Sequence, residues 1–392
     1  MKNKTIYLDY NASTPIAPEV VEAIRPFLYQ HFGNPSSHHW AGELAKEAVE
    51  HARRQVAGLL ECLPSEIVFT SGGSESNNHA IKGLFFALKE MGNHIITTEI
   101  EHPAVLNPCC FLERIGAKVT YVGVDRLGMV DPKAIEKAIT GKTILVTVMH
   151  ANNEVGTIQP IKEISDLVRK RGILFHTDAA QSVGKINTKV EDLGVDLLSI
   201  AGHKLYAPKG VGALYIREGT PIEPLIHGAG HESGRRAGTE NVLLIVGLGK
   251  ACEIARKYIN SEEIKLLRDR FWDLLRNDFG SEVVLNGHPV LRLPNTLNIS
   301  FVNRPGGEIL SRLEGVAAST GAACHSGSVE LSPVLKAMGI APEVGMGAIR
   351  FSLGRTTTLE EVDAVVRLLK NALPLPQRSV SQHLDPAELK HV

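Results

Sequence analysis

The chain has 392 residues, which is more than one compact core usually holds, so we expect two domains. Hydrophobic residues make up 43% and charged residues 22%, and the formal net charge is −1. This composition is typical of a globular protein. It argues against nucleic acid or an anionic membrane as the main partner.

The apolar runs and the cysteines bear on location. Runs such as 242–248 are too short to cross a bilayer, and the first residues lack the apolar stretch of a signal peptide. The five cysteines are an odd number without a Cys-x-x-Cys pair, which fits a reducing compartment. We therefore expect a cytoplasmic protein, and the sequence does not indicate a metal site.

Short apolar runs alternate with helical patterns through the first two thirds of the chain. The predicted strands are 66–70, 94–98, 118–124, 143–149, 173–178, 195–201 and 212–217. Helical spacing between them, as in 104–115 and 161–171, is typical of a mostly parallel sheet covered by helices. The last three runs are joined by shorter links, which predicts an antiparallel edge.

The pattern changes after residue 260. A charged helix over 261–277, a strand over 297–302, a helix over 308–313, a Ser/Gly-rich stretch and a final strand–helix pair follow. The predicted class is therefore α/β, with a mostly parallel central sheet and a smaller α+β domain. We predict a large domain over 16–259, a small one over 1–15 and 260–373, and a loosely ordered tail over 374–392.

Ligands of open parallel sheets bind beyond the carboxyl ends of the strands, so the residues there are candidates for a site. After the first predicted strand of the sheet, Gly72 and Gly73 let the backbone approach a ligand, and Ser74 can cap the next helix. The turn thus predicts a phosphate site at a helix N-terminus. Taken alone, such a sequence is more often an ordinary turn.

Three further residues follow strands. Asp178 ends an apolar strand, where it is either a cap or salt-bridge partner or the partner of a protonated ring nitrogen. Lys204 follows another strand, and burial would lower its pKa and favour the free amine that bonds to a carbonyl carbon. His102 can cap a helix or stack on a flat cofactor. Together with the phosphate turn, these residues predict a pyridoxal-phosphate site.

Several motifs, in order along the chain, resemble those of a known family. They are Asp9-Tyr-Asn-Ala-Ser-Thr-Pro, Phe32-Gly-Asn-Pro-Ser-Ser, Thr70-Ser-Gly-Gly-Ser-Glu-Ser, Glu101-His-Pro-Ala-Val, His150-Ala-Asn-Asn-Glu-Val-Gly, Asp178-Ala-Ala-Gln-Ser-Val-Gly, Gly202-His-Lys, Gly238-Thr-Glu-Asn, Ser319-Thr-Gly-Ala-Ala-Cys-His-Ser-Gly-Ser and Ile349-Arg-Phe-Ser-Leu-Gly-Arg. Over residues 5–372 the chain resembles the cysteine desulfurases of the NifS/IscS type. These belong to the class V aminotransferase group of fold-type I pyridoxal-phosphate enzymes.

The resemblance implies a role for each residue at the ring. Lys204 would hold pyridoxal phosphate and move the substrate's α-proton, and Asp178 would pair with the ring nitrogen. His102 would stack on the ring and take part in catalysis. Asn152 and Gln181 would contact the ring and its phenolic oxygen, and Asn152 would also lie at the substrate.

The resemblance also implies how the phosphate and the substrate are held. The phosphate would bind Gly73, Ser74, His203 and, from the other subunit of a homodimer, Thr239. Arg350 would clamp the substrate carboxylate, for which its planar fork is suited. Ala201 stands where many members carry Ser, which removes one phosphate contact and weakens cofactor retention somewhat.

Cys324 decides which reaction the resemblance implies. An average cysteine is more often a buried apolar residue, but this neighbourhood lacks large apolar side chains, and Gly321 and Gly327 predict a mobile loop. A mobile thiol can attack the substrate's sulfur and carry a persulfide outward. The implied reaction converts L-cysteine to L-alanine. Its sulfur is then held on Cys324 for an acceptor, such as an iron–sulfur scaffold or another sulfur-biosynthesis protein.

Three alternatives stay open at this point. A selenocysteine lyase would share the cofactor site and take L-selenocysteine. An aminotransferase would need neither Cys324 nor its loop. An inactive homologue that only binds partners would be expected to have lost Lys204, Asp178 or Cys324, and all three are present. The residues from 377 to 392 do not resemble the docking tail of housekeeping desulfurases, so the acceptor also stays open.

Overall fold

The computed structural model describes residues 5–320, 322–325 and 328–373, and it describes side chains outside 321–329. The strands are β1 (Ile6–Tyr7), β2 (Ile67–Thr70), β3 (His94–Thr98), β4 (Lys118–Val122), β5 (Thr143–Thr147), β6 (Leu174–Asp178), β7 (Leu197–Ala201), β8 (Gly212–Ile216), β9 (Val283–Asn286), β10 (Thr296–Phe301), β11 (Val316–Ala317), β12 (Ser319–Thr320), β13 (Ala322–His325), β14 (Ser328–Leu331) and β15 (Ala348–Ser352). The tail predicted over 374–392 lies outside the described residues.

The helices alternate with these strands. They are α1 (Pro18–Ile24), α2 (Trp40–Leu60), α3 (Gly73–Leu88), α4 (Pro103–Glu113), α5 (Pro132–Ala138), α6 (Ile161–Arg169), α7 (Val190–Leu193), α8 (Val242–Ala255), α9 (Glu262–Phe279), α10 (Gly306–Ser311), α11 (Pro333–Ala337), α12 (Pro342–Gly345) and α13 (Leu359–Ala372). Short 3-10 turns cover Arg25–Leu28, Pro64–Glu66, Gly202–Lys204, Glu232–Gly234, Arg256–Tyr258 and Gly280–Glu282. Among the described helices, none combines the length and apolar character that a membrane span requires.

The central sheet has seven strands in the order β2-β8-β7-β6-β5-β3-β4. β3 to β7 pair in parallel, and β8 runs antiparallel to both of its neighbours. The predicted α/β class with a mostly parallel sheet is confirmed. The predicted antiparallel pairing among the last strands is confirmed for β7 and β8. Their predicted position at the edge is wrong, because β8 lies second from the edge and β2 pairs with its outer side. A short link places consecutive strands side by side, but it does not determine which distant strand covers the free side.

Helices cover both faces of this sheet, as the continuous apolar strands require. On one face, α2 and α8 contribute Val49, Val56 and Leu248 to a core that includes Phe175 and Tyr215 of the sheet. On the other face, α3 and α4 pack against the sheet in a second core. The loops at the carboxyl ends of the parallel strands are left free to form a site.

A smaller sheet follows, with four antiparallel strands in the order β12-β15-β10-β9. Helices α9 and α13 cover it, and the ring centroids of Phe271 and Phe351 lie 5.0 Å apart in its core. β1 pairs in parallel with β11, so the N-terminal strand lies beside this smaller unit. The domain boundaries at residues 15, 259 and 373 stay predictions.

The segment that carries Cys324 is a two-stranded antiparallel ribbon. β13 pairs with β14, and Cys324 faces Val329 in the register. The sequence predicted a mobile loop here, whereas the described backbone is regular. The side chain of Cys324 lies outside the described residues.

Candidate active site

The turn from β2 into α3 forms an anion site. Gly72 has a φ of 146°, a backbone conformation that residues other than glycine rarely adopt. Gly72 is the N-cap of α3 and no side chain caps this helix, so the prediction that Ser74 caps it is wrong. Ser74 lies in the first turn instead. The N–H groups of that turn have no acceptor within the helix, and they point to a place suited to a phosphate.

The anion site is narrow at Gly73 because β7 ends directly beside it. A Cβ atom at Gly73 would lie 3.1 Å from the Cβ of Ala201. His203 lines the same cavity. Burial, together with the charges of Lys204 and Lys209, lowers the pKa of His203 to about 4. A neutral ring at neutral pH can still donate one hydrogen bond.

Asp178, at the end of β6, is 6% exposed and held by two hydrogen bonds. Its Oδ2 accepts from Nδ2 of Asn77 at 2.7 Å, and its Oδ1 accepts from the backbone N–H of Ala180 at 2.9 Å. Asn77 was not predicted from the sequence. Its spacing of four residues from Gly73 was the available signal, because that spacing places both residues on one face of α3.

Lys204 lies in the 3-10 turn that follows β7, and its amino group has backbone acceptors. Nζ donates to the carbonyl oxygen of Asn11 at 2.6 Å and to that of Ala12 at 2.8 Å. Burial and the charge of Arg350 lower the pKa of Lys204 to about 8, although Asp9 and Asp178 act in the opposite direction. The lowered pKa increases the fraction of free amine near neutral pH, and the free amine is the form that a nucleophilic lysine requires.

His102 caps a helix and also lies at the cavity, whereas its stacking on a cofactor stays a prediction. Its Nδ1 accepts from the N–H of Ala104 at 3.1 Å and so caps α4, and its ring also lines the cavity. Burial lowers the pKa of His102. The charge of Asp178 acts to raise this pKa, and the charge of Lys204 lowers it further. Because Nδ1 is an acceptor, the neutral ring carries its proton on Nε2.

The structure places Asn152 away from the cavity. Asn152 is fully buried, its Oδ1 accepts from the N–H groups of Glu154 and Val155, and its Nδ2 donates to the carbonyl oxygen of Ile100. Its neighbour Asn153 lines the cavity instead, as does Gln181. A sequence with two adjacent asparagines does not reveal which side chain faces the cavity, because the hydrogen bonds of the local turn determine it.

Arg350, on β15, lines the cavity, and three hydrogen bonds hold its guanidinium group. Nη1 donates to the carbonyl oxygen of Asn153 at 3.0 Å, and Nη2 donates to Oδ1 of Asp9 at 2.8 Å and to Oγ of Ser319 at 3.0 Å. Its buried Nε has no hydrogen-bond partner among the described residues. An arginine fixed in this way can present its remaining N–H groups to a carboxylate.

These residues surround one open cavity of about 570 Å³. The predicted residues that line it are Gly73, Ser74, His102, Asp178, Gln181, His203, Lys204 and Arg350. Thr239 is exposed and does not line it. The described part of the chain contains no cluster of three or more His, Cys, Asp or Glu side chains placed to hold a metal.

The lining fits pyridoxal phosphate. An uncapped helix N-terminus supplies donors for a phosphate, Asp178 supplies a carboxylate for a protonated ring nitrogen, and Lys204 supplies an amine. The volume lies within the range of cofactor sites. A phosphate, a ring cation and a carbonyl group on one flat molecule would each find a partner here.

Comparison with known proteins gives consistent results. A model of the class-V aminotransferase family matches residues 6–365. The chain is 51% identical to the cysteine desulfurase IscS of Dictyoglomus turgidum, over 94% of this chain and 95% of that protein. A solved NifS-like protein superposes with a TM-score of 0.88 at 40% identity, over 94% of this chain and 98% of that one. The structure of SspA in complex with cysteine superposes with a TM-score of 0.80 at 41% identity, over 89% and 99% of the two chains.

Proposed function

The chain belongs to the class-V aminotransferase family and, within it, to the cysteine desulfurases, and from that premise we propose that it holds the sulfur of L-cysteine as a persulfide on Cys324 and releases L-alanine. Its cofactor is pyridoxal phosphate. The observation that carries the proposal is the placement of Lys204, Asp178 and Arg350 around one cavity beside the N-terminus of α3.

We assign the cofactor to that cavity. The first turn of α3, with Ser74 and His203, would hold its phosphate, Asp178 its ring nitrogen and Lys204 its carbonyl carbon. When bound, pyridoxal phosphate supplies an electron sink for the electron pair left on the substrate's α-carbon. His102 would lie against the ring and Gln181 at its phenolic oxygen. Asn153, rather than Asn152, is assigned the place beside the ring and the substrate.

The chain's own groups would bind the substrate and move its proton. Arg350 would receive the carboxylate of L-cysteine, with the guanidinium plane held by Asn153. The amino group of Lys204, with its pKa lowered to about 8, would take the α-proton at Nζ and return a proton to carbon. Burial of this amine among backbone carbonyls keeps it in reach of the substrate.

The sulfur step would use Cys324. Its thiolate attacks the substrate's sulfur, a sulfur–sulfur bond forms, and the carbon–sulfur bond breaks. The two sulfur atoms are oxidised to the persulfide, and the β-carbon is reduced because it takes the electron pair of the broken bond and then a proton. The products are alanine and a persulfide on Cys324, which an acceptor protein would remove.

The cofactor site would be shared between two subunits. Thr239 is exposed and away from its own cavity, which supports a homodimer in which it reaches the phosphate of the partner. An iron–sulfur scaffold protein is the acceptor that the IscS name of the relatives suggests. A cytoplasmic location remains our expectation from the cysteine content. Selenocysteine lyase, the main alternative, gains no support from these relatives.

The experiment that tests this function measures alanine and sulfur together. Purified protein loaded with pyridoxal phosphate should convert L-cysteine to alanine, with one sulfur atom transferred to a reductant for each alanine. L-Selenocysteine in the same assay separates the alternative activity. Release of alanine from L-selenocysteine alone would show that the desulfurase assignment is wrong.

A further inference from the structure

Lys185 is a buried lysine close to the site that the mechanism above does not use. Its Nζ donates to Oε1 of Gln181 at 3.0 Å and to Oδ1 of Asn11 at 3.2 Å. Both of these acceptors are uncharged amide oxygens rather than carboxylates. Burial, with the charges of Lys204, Arg350 and Arg355, lowers the pKa of Lys185 to about 7. A lysine in such a place costs stability, so its contacts require an explanation.

The contacts of Lys185 determine how the amide of Gln181 is oriented. The amino group of a lysine is here the donor, so the atom of Gln181 that it meets must be the oxygen. On its other side, Gln181 donates from Nε2 to the backbone carbonyl oxygen of Asn11 at 2.9 Å, and a carbonyl oxygen only accepts. As long as Lys185 is the donor, the two ends of the amide cannot be exchanged without losing both hydrogen bonds. One N–H of Nε2 remains for the cavity that Gln181 lines.

The same network reaches Lys204. The carbonyl oxygen of Asn11 accepts from Nε2 of Gln181 at 2.9 Å and from Nζ of Lys204 at 2.6 Å. The side-chain oxygen of Asn11 accepts from Lys185. Lys185 and Lys204 also line a second, small cavity of about 30 Å³, which has room for a water molecule at the third N–H of an ammonium group. Asn11 thus links the two lysines on one side of the site.

We propose that Lys185 is a positioning residue for the desulfurase site, which holds the amide of Gln181 with its nitrogen directed toward the cofactor and keeps Asn11 in place under Lys204. The inference rests on the proposed function for the role of Gln181 and Lys204. Without Lys185, the oxygen of Gln181 has no donor on that side. The amide can then rotate and present its oxygen, instead of an N–H, to the phenolic oxygen of the cofactor, where two acceptors repel.

The test uses the full-length holoenzyme with a matched pair of variants. Lys185→Met removes the amino group and keeps the length and apolar stem of the side chain. Lys189→Met is the control, because Lys189 lies four residues further on, with a side chain that is 45% exposed and paired with Glu61. The visible absorption band of the bound cofactor and its dissociation constant are measured beside kcat, KM and the thermal midpoint.

We expect Lys185→Met to shift the absorption band and to lower kcat about tenfold, the scale of a misplaced group near the reacting atoms. KM for L-cysteine should change little, because Lys185 donates its hydrogen bonds to Gln181 and Asn11 and not to Arg350 or its partners. In a Gln181→Ala background, Lys185→Met should add almost nothing to the band shift, because its effect acts through Gln181. The Lys189→Met control should match the wild type.

Two results would overturn the inference. A lower thermal midpoint with an unchanged band and kcat would make Lys185 a structural residue, and so would a band shift that is additive with Gln181→Ala. If Lys185→Met fails to fold, Lys185→Gln takes its place. Its side chain keeps a donor but is too short to reach both acceptors, and the same shift of the cofactor absorption band is expected. Wild-type protein that binds cofactor but releases no alanine would refute the desulfurase function, whereas the band would still report on Lys185.

Discussion

Arg350 already holds a carboxylate of the protein itself: its Nη2 donates to Oδ1 of Asp9 at 2.8 Å, in a pair whose side chains are 11% and 19% exposed. The same oxygen of Asp9 accepts from the hydroxyl of Ser319 at 2.9 Å. A substrate carboxylate that binds Arg350 must therefore share or displace Asp9. Ser319 lies in β12, three residues before β13 begins, so this exchange would take place at the base of the ribbon that carries Cys324.

Replacing Asp9 by Asn should strengthen the binding of L-cysteine. The amide keeps the shape and one acceptor, but it removes a negative charge that competes with the substrate carboxylate for Arg350. We expect KM for L-cysteine to fall about fivefold, which corresponds to about 1 kcal/mol for a partly exposed ion pair. Steady-state kinetics measure it, with the exposed Asp166→Asn as control. A rise in KM would mean that Asp9 positions Arg350 instead of competing for it.

The pKa of Lys204 predicts how cofactor loading depends on pH. Only the free amine bonds to the cofactor, so the loading rate of the apoprotein should rise with pH while the amine deprotonates and level off above about 8. With an unperturbed lysine, whose pKa is about 10.4, the loading rate would continue to rise with pH up to that value. Stopped-flow absorbance across this range measures the rate. Lys204→Ala, the control, should form no borohydride-reducible bond, and such a bond in that variant would refute the assignment.

Asp178→Asn should fold and bind cofactor but lose most of its turnover. The amide oxygen can still accept from Asn77 or Ala180, so the local structure survives. The charge that keeps the ring nitrogen protonated is lost, and we expect kcat to fall at least about 100-fold, the scale of one preorganised electrostatic group. Alanine release measures turnover, and cofactor absorbance measures binding. Near-normal turnover would contradict the role given to Asp178.

Thr239 can be tested with hybrid dimers. Thr239→Ala should weaken cofactor binding about fivefold, or by about 1 kcal/mol, for one lost hydrogen bond. A hybrid of one Thr239→Ala subunit and one Lys204→Ala subunit leaves one site with Lys204. If Thr239 acts across the interface, that site receives an intact threonine and binds with wild-type affinity. Weakened binding in the hybrid would place Thr239 in its own site, and an active monomer would exclude the shared site.

Cys324→Ala should separate cofactor chemistry from sulfur transfer. The described residues that line the cavity are unchanged, so the variant should bind cofactor and L-cysteine as the wild type does. Sulfur transfer from L-cysteine should stop, because the attacking thiol is gone. The wild type after brief exposure to L-cysteine should gain one sulfur atom on the peptide that contains Cys324, as mass spectrometry detects. Full activity of the variant toward L-cysteine would refute the persulfide mechanism.

The same variant distinguishes the two substrates. The carbon–selenium bond is weaker than the carbon–sulfur bond, so L-selenocysteine does not need the thiol to the same degree. Activity that is lost with L-cysteine and retained with L-selenocysteine would identify Cys324 as a nucleophile for sulfur. Equal loss with both substrates would indicate a general role for the segment that includes it.

The parts of the site that could be predicted from the sequence belong to regular structure. The strand that ends at Asp178 and the strand before Lys204 both begin with apolar residues and are almost wholly buried. A polar residue at the carboxyl end of such a strand lies at the edge where ligands bind. Each predicted strand of the central sheet appears within a few residues of its predicted bounds. The spacing of apolar residues and the composition of a segment are local properties, so the sequence of a single segment is enough to predict its strand or helix.

The parts that could not be predicted depend on contacts between distant segments. Asn11 meets Lys204 across 193 positions, and Asp9 meets Arg350 across 341. No local pattern encodes such a meeting. Asn152 and Asn153 show the same limit at short range, because the hydrogen bonds of one turn decide which side chain faces the cavity.

The pairing of β1 with β11 has a consequence for synthesis on the ribosome. Residues 9–12 lie between the large sheet and Arg350, and they are held there by a strand that pairs with residues 316–317. The nascent chain can fold its seven-stranded sheet long before the partner of β1 has been made. The segment that contacts Lys204 is therefore fixed in place only after residues 316–317 have been made. A chain that stalls before residue 350 would contain the lysine but not the finished site.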